Sequence, residues 1–159
     1  MDEFEINDVK SAFDYLKSIR EEKGYLLSQV SKKAGYHQTT ITRMEDGIEI
    51  PTLNHFLAYA NALGYSIYVV HEGGEPCFIC EDNTGKDIIS NLCIWRKTSN
   101  KNNFISLAKV AQDTGISHTT YMRMEKGETI PMMNNFLAYV KSLGFILLLY
   151  PIKEEKLCR

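Results

Sequence analysis

At 159 residues the chain has room for one ordinary domain or two small ones. Apolar residues make up 44% and charged residues 24%, which fits a folded globular chain and excludes a disordered one. The formal net charge of −2, taken whole, argues against a polyanionic ligand. No apolar run approaches the ~20 residues of a membrane span, and the longest, Phe145 to Tyr150, is strand-sized. The start, Met1-Asp2-Glu3-Phe4-Glu5, is acidic and lacks the basic-then-apolar layout of a secretory signal, so cytoplasmic residence is expected. Four cysteines are too few for a disulfide scaffold, and reduced thiols follow.

In chain order, residues 1–8 read as an acidic N-terminal arm. Val9, Phe13, Leu16 and Ile19 recur at helical spacing and predict an amphipathic first helix. A short helix is expected over Leu27–Ala34, stopped by Gly35, and another over His37–Glu45 with Ile41 and Met44 inward. Gly47 and Pro51 mark a turn into a helix over Thr52–Leu63, ended by Gly64. Tyr65–Val70 changes to β-branched and aromatic residues and predicts a strand, closing a first domain of residues 9–70. Residues 71–86 read as a linker with a candidate hairpin strand, Cys77 and Ile79 folding back on Tyr65–Val70 across Gly73-Gly74. Residues 87–150 run as the first domain does, with Trp95 inward, and residues 151–159 form a tail. The second domain ends in Phe145–Tyr150, whose unbroken apolar run predicts a more buried strand than the first.

The likeness of the two halves is a repeat. Shifted by 80, Gly35–Gly64 aligns with Gly115–Gly144 without a gap, and sixteen of the thirty positions are identical. Upstream, Leu16 and Arg20 match Leu92 and Arg96 once four extra residues are placed near Thr98–Asn102. Charge divided by segment reads differently from the total. Residues 1–8 carry −4 and residues 71–88 carry −4, whereas residues 9–70 carry +1 and residues 89–150 carry +4. The acid lies mostly in the arm and linker, and the repeats are neutral to basic.

Two short helices separated by a glycine turn fit a helix-turn-helix. The segment Leu27-Ser28-Gln29-Val30 through Ala34-Gly35 to Met44-Glu45-Asp46-Gly47, with Pro51 after it, resembles the Xre/Cro/C1 family of bacterial and phage repressors. So does Leu107-Ala108-Lys109-Val110 through Gly115 to Met124-Glu125-Lys126-Gly127, with Pro131. The strand after each helical domain resembles antitoxin regulators of the HipB kind. The fold this implies is mainly α: tandem lambda-repressor-like helix-turn-helix domains with a small antiparallel β-sheet joining them. Helix spacing puts Gln38, Thr39, Thr42 and Arg43 on the face away from Ile41 and Met44, with Met122 the counterpart of Thr42. The resemblance puts base readers at Gln38, Thr39 and Arg43 and at His118, Thr119 and Arg123. Lys126 follows the second of these helices, near where phosphate would pass. Gln38 suits an adenine edge and Arg43 a guanine or phosphate. Arg20 with Glu45, and Arg96 with Glu125, fall where these repressors place a structural ion pair. Leu27 and Leu107 depart from the glutamine that often begins the second helix and bonds phosphate.

Cys77-Phe78-Ile79-Cys80 is a lone CxxC and a weak metal candidate, since zinc would need Cys93, Cys158, His71 or His118 to converge on Cys77 and Cys80. His37, His55 and His118 read as polar residues on helix faces. There is no P-loop, HExxH or GxSxG. The expectation is a DNA-binding transcriptional regulator, a repressor or antitoxin-type autoregulator acting as a single-chain pseudo-dimer, with no enzymatic activity, cofactor, metal or membrane partner. Its partner is double-stranded DNA, with a cognate toxin or other protein as a second partner, and further homodimerisation stays open. The alternative is a protein-interaction or inhibitor module, toxin-neutralising or defence-related, that keeps the fold without operator binding. Leu27, Leu107 and the acidic arm favour that alternative.

Overall fold

The computed structural model describes residues 3–80, 84–98 and 105–152. The first half runs β1 (Phe4–Glu5), α1 (Val9–Glu22), α2 (Leu27–Ala34), α3 (Gln38–Glu45), α4 (Leu53–Ala62) and β2 (Tyr65–His71). The second repeats that order as β3 (Cys77–Ile79), α5 (Lys86–Thr98), α6 (Leu107–Thr114), α7 (His118–Glu125), α8 (Met133–Ser142) and β4 (Phe145–Pro151). Mainly helical structure with one small antiparallel sheet is therefore the observed fold class. No helix among the described residues is long and apolar enough to cross a membrane.

Local chemistry sets the helix ends. Asp8 accepts from the Ser11 amide at 2.7 Å and starts α1, whose Ala12, Phe13 and Leu16 are buried. Gly35 and Gly115, at φ of +83° and +74°, end α2 and α6 in the left-handed conformation that the turn into the next helix needs. Ser106 and Ser117 cap α6 and α7, whereas their counterparts Leu26 and His37 give no side-chain cap in the first half. His37 thus sits just before α3 instead of on its face.

All strand pairs are antiparallel, in the order β1-β4-β2-β3. At the centre Tyr68 lies opposite Leu148, its equivalent under the shift of 80. The same exchange relates the contacts around it. Leu53 donates its amide to the Pro131 carbonyl at 2.9 Å, and Met133 to Pro51 at 2.8 Å, on either side of a bridge between Thr52 and Met132. Ile6 bonds Leu147 at 2.8 Å as Cys80 bonds Ile67 at 3.2 Å. Such reciprocity is the signature of an isologous, two-fold contact, here between halves of one chain. Each half also lends its leading strand to the other, β1 to β4 and β3 to β2.

Two expectations are corrected. The residues read as an acidic arm contain β1, and Ile6 is 1% exposed in the core. Their acids hid an alternation that turns Phe4 and Ile6 inward between Glu3 and Glu5. Nor is β4 more buried than β2. Phe145, Leu147 and Leu149 face the helices and are buried, as Tyr65, Ile67 and Val69 are in β2. Ile146, Leu148 and Tyr150 lie half-buried on the other face, so the unbroken apolar run reflects two apolar faces and not two covered ones. Trp95 does turn inward, edge-on to Phe145 at 4.8 Å and 5.2 Å from His71.

The halves meet closely at Gly85, where φ is +74° and an added Cβ would fall 2.3 Å from Leu53 Cδ2 on α4. Gly115 shares that φ of +74° with open space around it. Gly115→Ala should therefore cost about 1–2 kcal/mol from backbone strain alone. Gly85→Ala should cost about 1–3 kcal/mol more, through overpacking against a fully buried Leu53. Urea melts of the two variants give the comparison, and equal losses would show that the approach to Leu53 carries no cost.

Candidate nucleic-acid interface

Each half presents two short helices joined at a glycine turn, α2–α3 and α6–α7, with the second helix partly outside. On α3, Ile41 and Met44 are buried, while Gln38, Thr39 and Arg43 are exposed on the opposite side. Thr42 is half-buried and donates its hydroxyl to the Gln38 carbonyl at 3.0 Å, which commits it within its own helix. On α7, Tyr121 and Met124 are buried, while His118, Thr119 and Arg123 are exposed. Met122 packs partly against the core, and exposed Lys126 follows the helix end. Tyr121 donates to Thr114 Oγ1 at 2.9 Å and ties α7 to α6. Beside the outer face of α7 runs a groove of about 440 Å³, lined in part by Thr119, Thr120, Arg123 and Asn135.

The orientation of these helices depends on a buried cluster repeated in both halves. Arg20 on α1 places Nε 2.9 Å from Oε2 of Glu45 at the end of α3, and Nη2 3.1 Å from Oε1. Its remaining nitrogen donates to the Tyr25 carbonyl at 3.2 Å. Arg96 and Glu125 form the same fork at 2.9 and 2.6 Å, with the Ile105 carbonyl as the further acceptor at 3.0 Å. A hydroxyl completes each cluster: Tyr59 on α4 donates to Glu45 at 2.5 Å, and Tyr139 on α8 donates to Glu125 at 2.5 Å. Three helices are thereby joined to one carboxylate. The sequence reading had not singled out Tyr59 and Tyr139. Their signal was a hydroxyl kept at the same place in both Phe-Leu-Ala-Tyr blocks, on a helix face otherwise apolar.

The titration of these groups follows from their surroundings. Burial, then the neighbouring carboxylate, pushes Tyr59 and Tyr139 well above the usual phenol range. Burial pushes Glu125 up, but the hydrogen bonds from Arg96 and Tyr139 outweigh it and hold the carboxyl below its ordinary value.

The exposed faces of α3 and α7 differ in what surrounds their arginines. Arg43 Nε lies 3.4 Å from Glu49 Oε2, both side chains about half exposed. Thr129 stands at the matching place in the second half, and among the described residues no carboxylate pairs with Arg123. Leu27 is half-buried against the core and Leu107 is 9% exposed, so the helix-start position serves packing in both halves. Gln29 accepts from the Leu26 amide at 2.8 Å.

Other candidates fall elsewhere. Cys77 is exposed on β3 and Cys80 is buried, their side chains turned to opposite faces of the strand. Burial pushes the Cys77 thiol up, away from thiolate chemistry. Among the described residues no group of three His, Cys, Asp or Glu could hold a metal ion, and Cys158 lies outside them. His55 rests on the Tyr36 ring at 4.4 Å.

Removing one partner of a buried pair leaves the other charge uncompensated, so Glu45→Ala and Glu125→Ala should each cost about 3 kcal/mol or more. The depressed pKa of Glu125 gives the pH dependence its sign. Its contribution is present above the unfolded value of about 4.3 and is lost as pH falls through the folded value. Urea melts from about pH 7 down to about pH 3 should show a flatter acid slope in Glu125→Ala than in the wild type. An unchanged slope would remove Glu125 from the account of acid stability.

Residues 16–70 match the family model described as helix-turn-helix, a match running from within α1 to the end of β2. No curated protein and no solved structure matches the chain. The matched family is one of DNA-binding regulatory domains, so the first half of the chain carries a helix-turn-helix of the DNA-binding kind.

Proposed function

We propose that the chain is a sequence-specific DNA-binding regulator, a repressor or autoregulator, that reads two half-sites as a single-chain pseudo-dimer. The observation that carries this reading is the reciprocal register around Tyr68 and Leu148 and around Thr52 and Met132. A helix-turn-helix dimer uses its two-fold axis to offer two reading helices to successive major grooves, about 34 Å apart. Equivalent contacts exchanged between the starts of α4 and α8, and between β2 and β4, support such a relation between α3 and α7. Each domain then includes the strand that leads it, β1 or β3, pairing with the other domain's closing strand. The operator is an inverted repeat with unequal arms, because Gln38 faces one half-site and His118 the other. An enzyme is the less fitting class for a chain whose matched segment is a regulatory DNA-binding domain.

A second reading, a protein-interaction module such as a toxin-neutralising partner, draws on one observation. Leu27 and Leu107 are committed to packing where a phosphate-bonding side chain would stand. Selection from random duplexes separates the two readings. A regulator enriches a bipartite site, and its affinity falls by roughly 10³-fold or more between about 50 and 200 mM salt for ~6 phosphate contacts. Failure to enrich any sequence at low salt would favour the interaction module.

The halves should also contribute unequally. The second repeat is the more basic, and among the described residues its Arg123 has no counterpart to the Arg43–Glu49 pair. Arg123→Ala combined with Lys126→Ala should weaken binding more than Arg43→Ala, and should flatten the salt slope by about the two contacts removed. A larger loss from Arg43→Ala, on the same operator at matched salt, would reverse the assignment of which half holds the backbone.

A further inference from the structure

Between the start of α5 and the loop after α7 lies a cavity of about 230 Å³. Ile89, Ile130 and Pro131 contribute an apolar wall, and Ile130 is 49% exposed. Lys86, Ser90, Lys126 and Thr129 line it as well. Glu125 also lines it, but both its oxygens are held by Arg96 and one of them by Tyr139 as well. Asp87 turns one oxygen to the Ile88 amide of its own helix at 2.8 Å.

The first half supplies an internal comparison, because the same place is filled there. Lys10, the counterpart of Lys86, lies across Gly47, where an added Cβ would fall 3.1 Å from Lys10 Cδ. Its ammonium donates to the Glu45 carbonyl at 3.0 Å and to Asp14 at 2.8 Å. Over Gly127, the counterpart of Gly47, an added Cβ would meet nothing within 4 Å. The charges have changed with the filling. Asp14, Asp46 and Glu49 of the first half become Ser90, Lys126 and Thr129 in the second. With the lysine kept at 10 and 86, four matching positions pass from a net −2 to a net +2. The three acids at these positions are gone, the Glu125 carboxylate that remains is held by Arg96 and Tyr139, and the lysine that closes the space in one half leaves it open in the other.

We propose that this cavity binds a small organic phosphate, its anion between Lys86 and Lys126 with hydroxyls from Ser90 and Thr129, and its apolar body against Ile89, Ile130 and Pro131. A bare anion would leave the apolar wall uncovered, and an apolar molecule would make no use of the ammonium groups of Lys86 and Lys126. Lys126 follows α7 directly, so an occupied cavity draws one positive charge away from the second reading helix. That consequence rests on the DNA-binding reading; occupancy itself does not.

The test uses the full chain without DNA, so its outcome is independent of operator binding. Phenyl phosphate, inorganic phosphate and phenol are titrated into the wild type, with binding read from backbone and methyl NMR shifts. Phenyl phosphate should bind in the millimolar range or tighter and shift Ile89 and Ile130. It should bind at least tenfold more tightly than phenol or inorganic phosphate. Lys126→Asp, which installs the first half's residue, and Lys86→Ala should each weaken it roughly tenfold while the melting temperature holds. Absence of binding at about 10 mM, where even weak fragments register, would overturn the proposal. Equal binding by phenol, or losses absent from both lysine variants, would overturn the anion site. Inorganic phosphate binding as tightly as phenyl phosphate would overturn the apolar half.

Discussion

The pairing of β2 with β4 is the constraint on which the rest of the molecule depends. Seven residues of each strand meet in antiparallel register, and equivalent residues coincide at Tyr68 and Leu148. Antiparallel pairing of like with like forces a two-fold relation, and the helices packed on each strand inherit it. Because α4 rests on β2 and α8 on β4, any slip of the register would move the helices of both halves together. A one-residue slip would also turn Tyr65, Ile67 and Val69 away from the helices and bring Ser66 and Tyr68 beneath them, so core burial itself guards the register. The borrowed strands β1 and β3 cover the two outer edges and make the halves mutually dependent.

Within each half the buried arginine, carboxylate and tyrosine convert that frame into a fixed angle for α3 or α7. Taking an arginine and a glutamate out of water costs several kcal/mol per ion, so the pair adds little net stability. What it adds is directional. Glu45 receives a two-point fork from α1 and a hydroxyl from α4, and neither can be kept if α3 rotates. Hydrophobic contacts of Ile41 and Met44 would tolerate a rotation of several degrees, whereas these three hydrogen bonds would not. Glu45 is the last residue of α3, two turns from Gln38 at its start and around the helix from Thr39, which leaves those exposed side chains open to change without disturbing the angle.

Helices were legible in the sequence because each is bounded by a strong local signal, a capping residue or a glycine at positive φ, around a 3.6-residue period. The expected span Leu27–Ala34 is the observed one, and Thr52–Leu63 shrinks by a residue at each end because Thr52 caps the helix and Leu63 closes it. The arginine and glutamate partners could be named because both are charged residues kept at the same place in each copy. The parts that escaped depend on contacts between distant segments. Two residues of β1 have no period long enough to register, and their pairing with β4 spans most of the chain. Tyr59 and Tyr139 looked like ordinary helix-face aromatics until the carboxylate of another helix was brought to them. Thr42 and Met122 fall on the outer side by spacing alone, yet a local hydroxyl bond and a core contact draw both partly inward.

The two halves share one frame, yet their surface chemistry differs. Sixteen identical positions in thirty fall largely on the core, the turn glycine and the buried cluster, where each residue has partners on several elements. Substitutions collect where contacts are few: Asp14 to Ser90, Asp46 to Lys126, Glu49 to Thr129. In a homodimer any surface change appears twice, so a basic patch gained in one subunit is gained in both. A fused pair escapes that rule, and one half can keep its acids and a lysine folded onto Glu45 while the other loses its acids and opens a cavity. Asymmetry on a two-fold frame is thus the physical consequence of joining the copies in one chain. It is also the reason that the second half, and not the first, offers both the freer arginine and the open basic cavity.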